Sequence, residues 1–415
     1  MTPHDVVVVG GGPAGLACAL ELRRRGVTDV VVLDREAEAG GVPRHCAHQG
    51  FGIRDLHRVL TGPRYAERYV ELARAGGVRV LAESMVTGWS KEGALEVTSP
   101  RGRAELQASA LVLATGSRER PRSARLVPGS RPEGVMTTGT LQQLVQQGLE
   151  VGTRAVIIGA EHVSFSALLT LAHAGTEVAA IVTELPRHQS TRLVRASAAL
   201  RYRTPVWTRT ELTGIHGHRR VEEVELLDLD SGEARRLACD TVVFTGDWIP
   251  DHELAVAAGL ELDPGTRGPR VDAGLRTMQP GIFAAGNVLH GAEPADVAAL
   301  GGRHAANAVA RYLADRQSWP DRMVPIVCRA PLHWCSPNAV SSSRERPPRS
   351  RFAVRSIEFL HRPALELNQD SRVLWSGRLA RLVPGRSAAL QPGWIAEVDW
   401  AGGPIEVGVA PLRGS

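Results

Sequence analysis

The chain has 415 residues, a formal net charge of +5, and 43% hydrophobic and 22% charged residues, which is enough for about three domains of an ordinary globular protein. Nearly all of the basic charge is arginine, Lys91 being the single lysine, and no aromatic-interleaved basic stripe or helix-turn-helix pattern accompanies it; this argues against a nucleic-acid surface and a Schiff-base lysine. Cys18, Cys46, Cys239, Cys328 and Cys335 form no CxxC pair and no apolar run reaches a membrane span, so reduced thiols, no metal site, no membrane span and a cytoplasmic location are expected.

The first element is Val6-Val7-Val8-Val9, a buried strand running into Gly10, Gly12, Pro13, Ala14 and Gly15. The apolar start has no basic leader and enters a glycine turn, so it reads as a strand and not as a signal peptide. Gly10 permits the tight turn, Gly12 lets backbone approach a pyrophosphate, and Gly15 lets helix pack on strand. The helix N-terminus then offers free N–H groups and the positive end of its dipole. Val30-Val31-Val32-Leu33 is a second buried strand ending in Asp34, 24 residues after Gly10, where a carboxylate can accept ribose hydroxyls. Arg35 follows it, then the glycine pair Gly40-Gly41.

Cys46 lies in the next segment between His45 and His48. Two readings stand for it: a thiol activated by His45 or His48, with Cys46 and His48 as candidate catalytic residues, or simple packing. With no second cysteine nearby, dithiol–disulfide exchange is not expected. Leu111-Val112-Leu113-Ala114-Thr115-Gly116 is a further buried strand entering a glycine turn.

A second α/β unit begins at Ala155-Val156-Ile157-Ile158-Gly159 and runs to Asp240–Gly246, repeating the plan of the first. Its turn carries Glu161 where Gly12 stands in the first unit. A carboxylate there crowds the turn and repels a phosphate by about 4 kcal/mol at 4 Å and an effective dielectric near 20. Glu184, 25 residues after Gly159, stands where an NAD ribose would be held. Gly159, Glu161 and Glu184 therefore define a nicotinamide site whose occupancy by NAD(P)H the sequence leaves open.

Thr277–Asn287, with Gly286 and Asn287 at its end, precedes a helix expected from near Ala295 to Ala314. Residues 336–351, rich in serine, proline and arginine, read as a linker. Beyond it, residues 352–412 read as a small β-rich module: a strand at Arg351–Ile357, a hairpin of Ala364–Leu367 with Arg372–Trp375, and a strand at Trp394–Trp400.

Together these motifs over residues 1–315 resemble the NAD(P)/FAD-dependent, pyridine-nucleotide-disulfide-oxidoreductase-like flavoproteins. The run Gly40-Gly41, Cys46-x-His48-x-Gly50-Phe51-Gly52 and Leu60-Thr61-Gly62-Pro63-x-Tyr65-Ala66 resembles a branch associated with glycerol-3-phosphate-dehydrogenase-like partners and, more loosely, the FAD subunits of heteromeric amine and amino-acid dehydrogenases.

The resemblance implies an α/β fold. Two Rossmann-like nucleotide-binding domains are expected, the second inserted in the first, plus the C-terminal module. The FAD domain would span residues 1–120 and 270–317, and the inserted NAD(P)-binding-like domain residues 121–269. The implied FAD site is Gly10, Gly12, Pro13, Ala14, Gly15, Asp34, Arg35, Gly41, Thr115, Gly116, Gly286 and Asn287, with the start of the Ala295 helix at the flavin's pyrimidine edge. Asn287 stands where many relatives have aspartate, and it can still bond a ribityl hydroxyl. The implied function is an FAD-dependent oxidoreductase passing two electrons between flavin and a nicotinamide or another acceptor, acting on a small-molecule redox substrate. The alternative is an electron-relay subunit, inert with NAD(P)H alone, beside a second dehydrogenase subunit or in an oligomer.

Overall fold

A computed structural model describes residues 3–190, 202–291, 293–343 and 345–410. Residues 191–201 of the expected inserted domain, Arg344 of the expected linker, and residues 411 and 412 of the expected module lie outside the described residues. The chain divides into two compact units: Met1–Arg44 with Gly50–Ser117 and Pro250–Ser415, and His45–Gln49 with Arg118–Ile249.

The first unit is built on five parallel strands in the order Ile282–Ala284, Ala108–Leu113, His4–Val9, Val30–Leu33, Arg79–Leu81. The valine run of His4–Val9 pairs on both sides, Val7 opposite Val31 and Leu111. Parallel strands covered on both faces favour such unbroken β-branched runs. The helix Pro13–Arg24 starts on a proline, whose missing N–H costs nothing there, and ends on Arg23 and Arg24, which favour the negative end of its dipole. It packs against the helix Ala295–Ala314, whose bounds agree with the sequence reading. A Cβ on Gly302 would lie 1.9 Å from the Ala14 carbonyl oxygen, so only glycine permits that approach.

The C-terminal residues belong to this same unit and differ from the sequence reading in three ways. A five-stranded sheet begins at Met323–Cys328, well before residue 352, and includes Ala339–Ser341, Ile405–Val409, Ala364–Gln369 and Arg372–Arg378. The expected linker at 336–351 is therefore partly a buried strand. Its polar residues are interior partners: Asn338 Oδ1 accepts from Val271 N at 2.7 Å, and Ser341 Oγ donates to Asp272 Oδ2 at 2.7 Å. Asp272 also holds the buried Arg276, whose other nitrogen reaches Glu345 at 2.6 Å. Composition reads such residues as solvated, but hydrogen bonding lets them be buried. Third, the expected strand Trp394–Trp400 is replaced over Pro392–Glu397 by a short 3₁₀ helix, which Pro392 starts and which buries Trp394. The hairpin and the strand Phe352–Ser356 stand where expected.

The second unit has its own five-stranded parallel sheet, in the order Val135–Thr137, Thr241–Phe244, Arg154–Ile158, Glu177–Val182, Val206–Trp207. The helices Thr138–Gln146 and His162–His173 belong to this unit, as does an antiparallel sheet of Thr210–His216, Glu223–Asp228 and Ala234–Ala238. The compact unit ends at Ile249, short of the expected residue 269. No helix among the described residues is long and apolar enough to cross a membrane.

Candidate functional site

The turn after the first strand has the geometry its glycines suggest. Gly10 has φ +109°, and a Cβ there would lie 2.2 Å from the Ala114 carbonyl oxygen. A Cβ on Gly15 would lie 1.9 Å from the Gly10 carbonyl oxygen, so this contact welds helix to strand. Gly12 is different. A Cβ there would meet only Gly41 Cα, at 3.9 Å, which leaves open space over the start of the helix. Gly12 is the N-cap, Pro13 stands in the first turn, and no side chain caps that end. Its unsatisfied N–H groups face a space that a pyrophosphate can fill.

Asp34 follows the second strand and is buried, its oxygens accepting from Gly11 N at 2.8 Å and Glu36 N at 2.9 Å. A carboxylate has about four acceptor sites, so two remain for ribose hydroxyls. Burial pushes its carboxyl above the usual range. Arg35 is exposed and pairs with Glu36 and Asp251. Thr115 Oγ1 donates to the Asp251 carbonyl at 2.7 Å, and the Gly116 carbonyl accepts from Asp251 N at 2.9 Å, so this pair shapes the returning loop. Gly286 has φ +80°, and a Cβ there would lie 2.6 Å from Ala14 Cβ, which sets the second motif against the first turn of the first helix. The Asn287 amide is bonded to Glu293, its Oδ1 accepting from Glu293 N at 3.1 Å. A cleft beside Gly286 and Asn287 is walled on its other side by Pro337, Arg349 and Arg351. Sequence reading had given that segment no place near the site.

In the second unit the corresponding turn is filled from within. Glu161 is the N-cap of His162–His173, and its carboxylate accepts from the backbone N–H of Ser164 while Ser164 Oγ accepts from Glu161 N at 3.2 Å. This is a capping box with the two residue types exchanged. A Cβ on Gly159 would lie 3.0 Å from Glu161 Oε2, and one on Gly246 would lie 2.8 Å from Oε1, so the carboxylate lies beneath both turns. Arg125 Nη2 donates to the Thr245 and Gly246 carbonyls, fixing the second of those turns. Glu119, unnoticed in the sequence, accepts from Gly139 N at 2.8 Å at the start of the other helix. Burial, with Glu161 nearby, pushes Glu119 up to about 7. Burial also raises Glu161. Both keep a buried oxygen without a hydrogen-bond partner among the described residues. Glu184 is exposed just beyond the Glu177–Val182 strand, as its spacing suggests.

Cys46 and its histidines belong to this second unit. The Cys46 thiol donates to Gln142 Oε1 at 3.3 Å, Gln142 Nε2 donates to Ser166 Oγ at 2.9 Å, and Ser166 Oγ is 2.7 Å from His48 Nε2. His48 Nδ1 is 2.9 Å from the Gln49 carbonyl, so Nδ1 donates there and, in the neutral ring, Nε2 accepts from Ser166. His45 bonds Gln146. The chain of donors thus starts from the Cys46 thiol, which keeps its proton, and ends on His48. Burial pushes that thiol up to about 12. This environment is the reverse of one that activates a thiolate, and it supports packing over nucleophilic use of Cys46.

Two parallel-sheet units with glycine turns, one open at its helix start and one closed, define a dinucleotide-binding flavoprotein of the two-domain type. The profile of the pyridine nucleotide-disulphide oxidoreductase family matches residues 4–311, and the chain belongs to that family. It is an FAD-dependent oxidoreductase. It is similar to the thioredoxin reductase of Treponema pallidum, 28% identical over 324 residues that cover 76% of this chain and 99% of that one. It is also similar to hydrogen cyanide synthase subunit HcnB of Pseudomonas aeruginosa, 27% identical over 333 residues, covering 72% of this chain and 69% of that one. In fold it matches the crystal structure of T. acidophilum thioredoxin reductase with a TM-score of 0.63 at 22% identity, covering 75% of this chain and 99% of that one. The open turn at Gly12, the partly satisfied Asp34 and the Gly286–Asn287 loop fit FAD.

Proposed function

We propose that this chain is the FAD-bearing subunit of a heteromeric oxidoreductase, exchanging two electrons with a donor or acceptor other than NAD(P)H. The observation that carries the reading is the contrast between two helix starts. At Gly12 the N–H groups have no side-chain cap. At Glu161 the chain supplies its own carboxylate to the helix start. A dinucleotide pyrophosphate would have to displace that carboxylate from a buried place or lie against its charge, and either costs several kcal/mol. Gly10, Gly12, Pro13, Ala14, Gly15, Asp34, Arg35, Gly41, Thr115, Gly116, Gly286 and Asn287 are the residues we assign to FAD. When bound, FAD supplies the two-electron chemistry, and the protein supplies position and charge. HcnB is by name a subunit of hydrogen cyanide synthase, and that likeness supports a companion subunit here.

A second reading, a working NADH site, draws on Glu184 beyond its strand, where a ribose would be held. Anaerobic mixing of the FAD-loaded chain with NADH or NADPH separates the two. Slow or undetectable bleaching of the flavin is expected for the wild type. Faster bleaching and tighter nicotinamide binding are expected for Glu161→Gly. Fast reduction of the wild type at micromolar NADH would restore an ordinary reductase.

A further inference from the structure

Asp55, which follows the Gly50-Phe51-Gly52 run, and the helix Gly62–Ala75 meet the Ala295–Ala314 helix in a buried polar network. Asp55 Oδ2 accepts from both Tyr65 at 2.6 Å and Tyr69 at 2.7 Å. Arg303 donates to Tyr69 at 3.0 Å and to the Asp55 carbonyl at 3.2 Å. One residue earlier, Arg54 grips Asp296: its Nη1 lies 3.0 Å from Oδ1 and 2.9 Å from Oδ2, and its backbone N–H donates to Oδ2 at 3.1 Å.

Asp296 stands in the first turn of that helix and is 2% exposed, whereas Arg54 is 49% exposed. A carboxylate there cancels the positive end of the helix dipole, and Arg54 restores it. Gly286 and Gly302 seat the preceding loop and this helix directly on Ala14, in the open turn of the first helix. A cofactor held by Asp34, Gly12 and Asn287 would reach toward that helix start.

We propose that the Arg54–Asp296 pair is a positioning and charge-setting device for the flavin end of the cofactor. It rests on the assignment of Gly286 and Asn287 to that end. Arg54 keeps the helix start electropositive, where negative charge gathers on the reduced ring, and Asp55 with its tyrosines holds Arg54 in place.

The FAD-loaded full chain, Arg54→Gln, Asp296→Asn and the double variant would be titrated with sulfite, following loss of flavin absorbance, and equilibrated with redox dyes. Sulfite forms an anionic adduct with flavin and so reports local positive charge. Arg54→Gln is expected to weaken sulfite binding by roughly two- to fivefold and to lower the potential, the scale of a charge at a helix end. Asp296→Asn is expected to tighten sulfite binding and raise the potential, and the double variant to fall between the two. A merely structural clamp would move both single variants the same way, because each removes the same contact. That outcome, unchanged values with FAD bound, or loss of FAD from both single variants would overturn the proposal. If only Arg54→Gln sheds FAD, Asp296→Asn decides: tighter sulfite binding supports the proposal, and weaker or equal binding overturns it. Nicotinamide takes no part in these titrations, so their failure is distinct from failure of the subunit reading.

Discussion

Glu161 and Ser164 exchange hydrogen bonds across the first turn of His162–His173, the carboxylate accepting from Ser164 N and Ser164 Oγ accepting from Glu161 N at 3.2 Å. Ser164 Oγ also lies 2.7 Å from Thr245 Oγ1, which ties the helix start to the turn after the Thr241–Phe244 strand. Removing this cap has a cost. Glu161→Ala is expected to lower stability by about 0.5–2 kcal/mol, read from denaturant midpoints, whereas Glu161→Gly, which opens the turn to nicotinamide, should cost only about a few tenths. A Glu161→Ala variant as stable as wild type would show that the cap contributes nothing and that the carboxylate is held by other contacts.

Glu119 gives a pH dependence with a defined sign. Its folded value is raised to about 7 against an ordinary 4.5. The folded state therefore holds a proton that the unfolded chain releases, and this contribution is full below about 4.5. It is lost as pH rises through about 7, a change of roughly 3 kcal/mol at one unit per 1.36 kcal/mol. Glu119→Gln should remove that slope and be more stable than wild type above pH 7. Urea titrations of both proteins between pH 5 and 8 (about the window set by this shift) check it, and parallel slopes would rule it out.

Gly12 and Gly15 should part company. Gly12→Ala has room in the fold, its Cβ meeting only Gly41 Cα at 3.9 Å, but it fills the approach to the pyrophosphate. We expect a folded protein with FAD affinity reduced by more than about tenfold, or about 1.4 kcal/mol. Gly15→Ala places a methyl 1.9 Å from a backbone oxygen and should compromise folding itself. The ratio of flavin to protein absorbance, beside circular dichroism, distinguishes the two. Full FAD content in Gly12→Ala would move the cofactor elsewhere.

Cys46 is expected to behave as a packing thiol. With its pKa pushed up to about 12, it should resist alkylation in the folded protein and react on unfolding. Cys46→Ser should keep FAD and lose less than about tenfold in any activity found. A loss above about a hundredfold with FAD retained, the scale of removing an acid, base or nucleophile, would make it catalytic. Mass mapping of alkylated peptides supplies the first test and turnover the second.

The C-terminal sheet should prove inseparable from the first unit. Asn338→Ala leaves Val271 N buried without its acceptor, a cost of about 1–3 kcal/mol. Truncation after Arg316 removes that acceptor along with Ser341 and Glu345, the partners of Asp272 and Arg276, and should give aggregated protein. A soluble truncated chain that keeps FAD would show the sheet to be an independent module.

Local pattern alone determined the strands and turns that bind a dinucleotide. Val6–Val9 with Gly10 and Gly15 has one good conformational solution, because a Cβ at either glycine would collide with backbone, while Gly12 leaves open space over the helix start. The same holds for the helix from Ala295, whose small residues match its close approach to Ala14. What Glu161 does was not local. Its charge and bulk were readable, but its inward turn onto Ser164 depends on the space beneath Gly159 and Gly246, and that space comes from another strand. Residues 336–351 were misread for a related reason. Serine, asparagine and glutamate look solvated in sequence, yet here Val271, Asp272 and Arg276, some 70 residues earlier, supply the partners of Asn338, Ser341 and Glu345. Tyr65 was visible only as part of a motif, and nothing local marked Tyr69 or Arg54. Their roles belong to Asp55, Asp296 and Arg303, brought beside them by the packing of two helices. Sequence determines where backbone must bend or be buried; which polar groups satisfy one another is decided when distant strands and helices close the core.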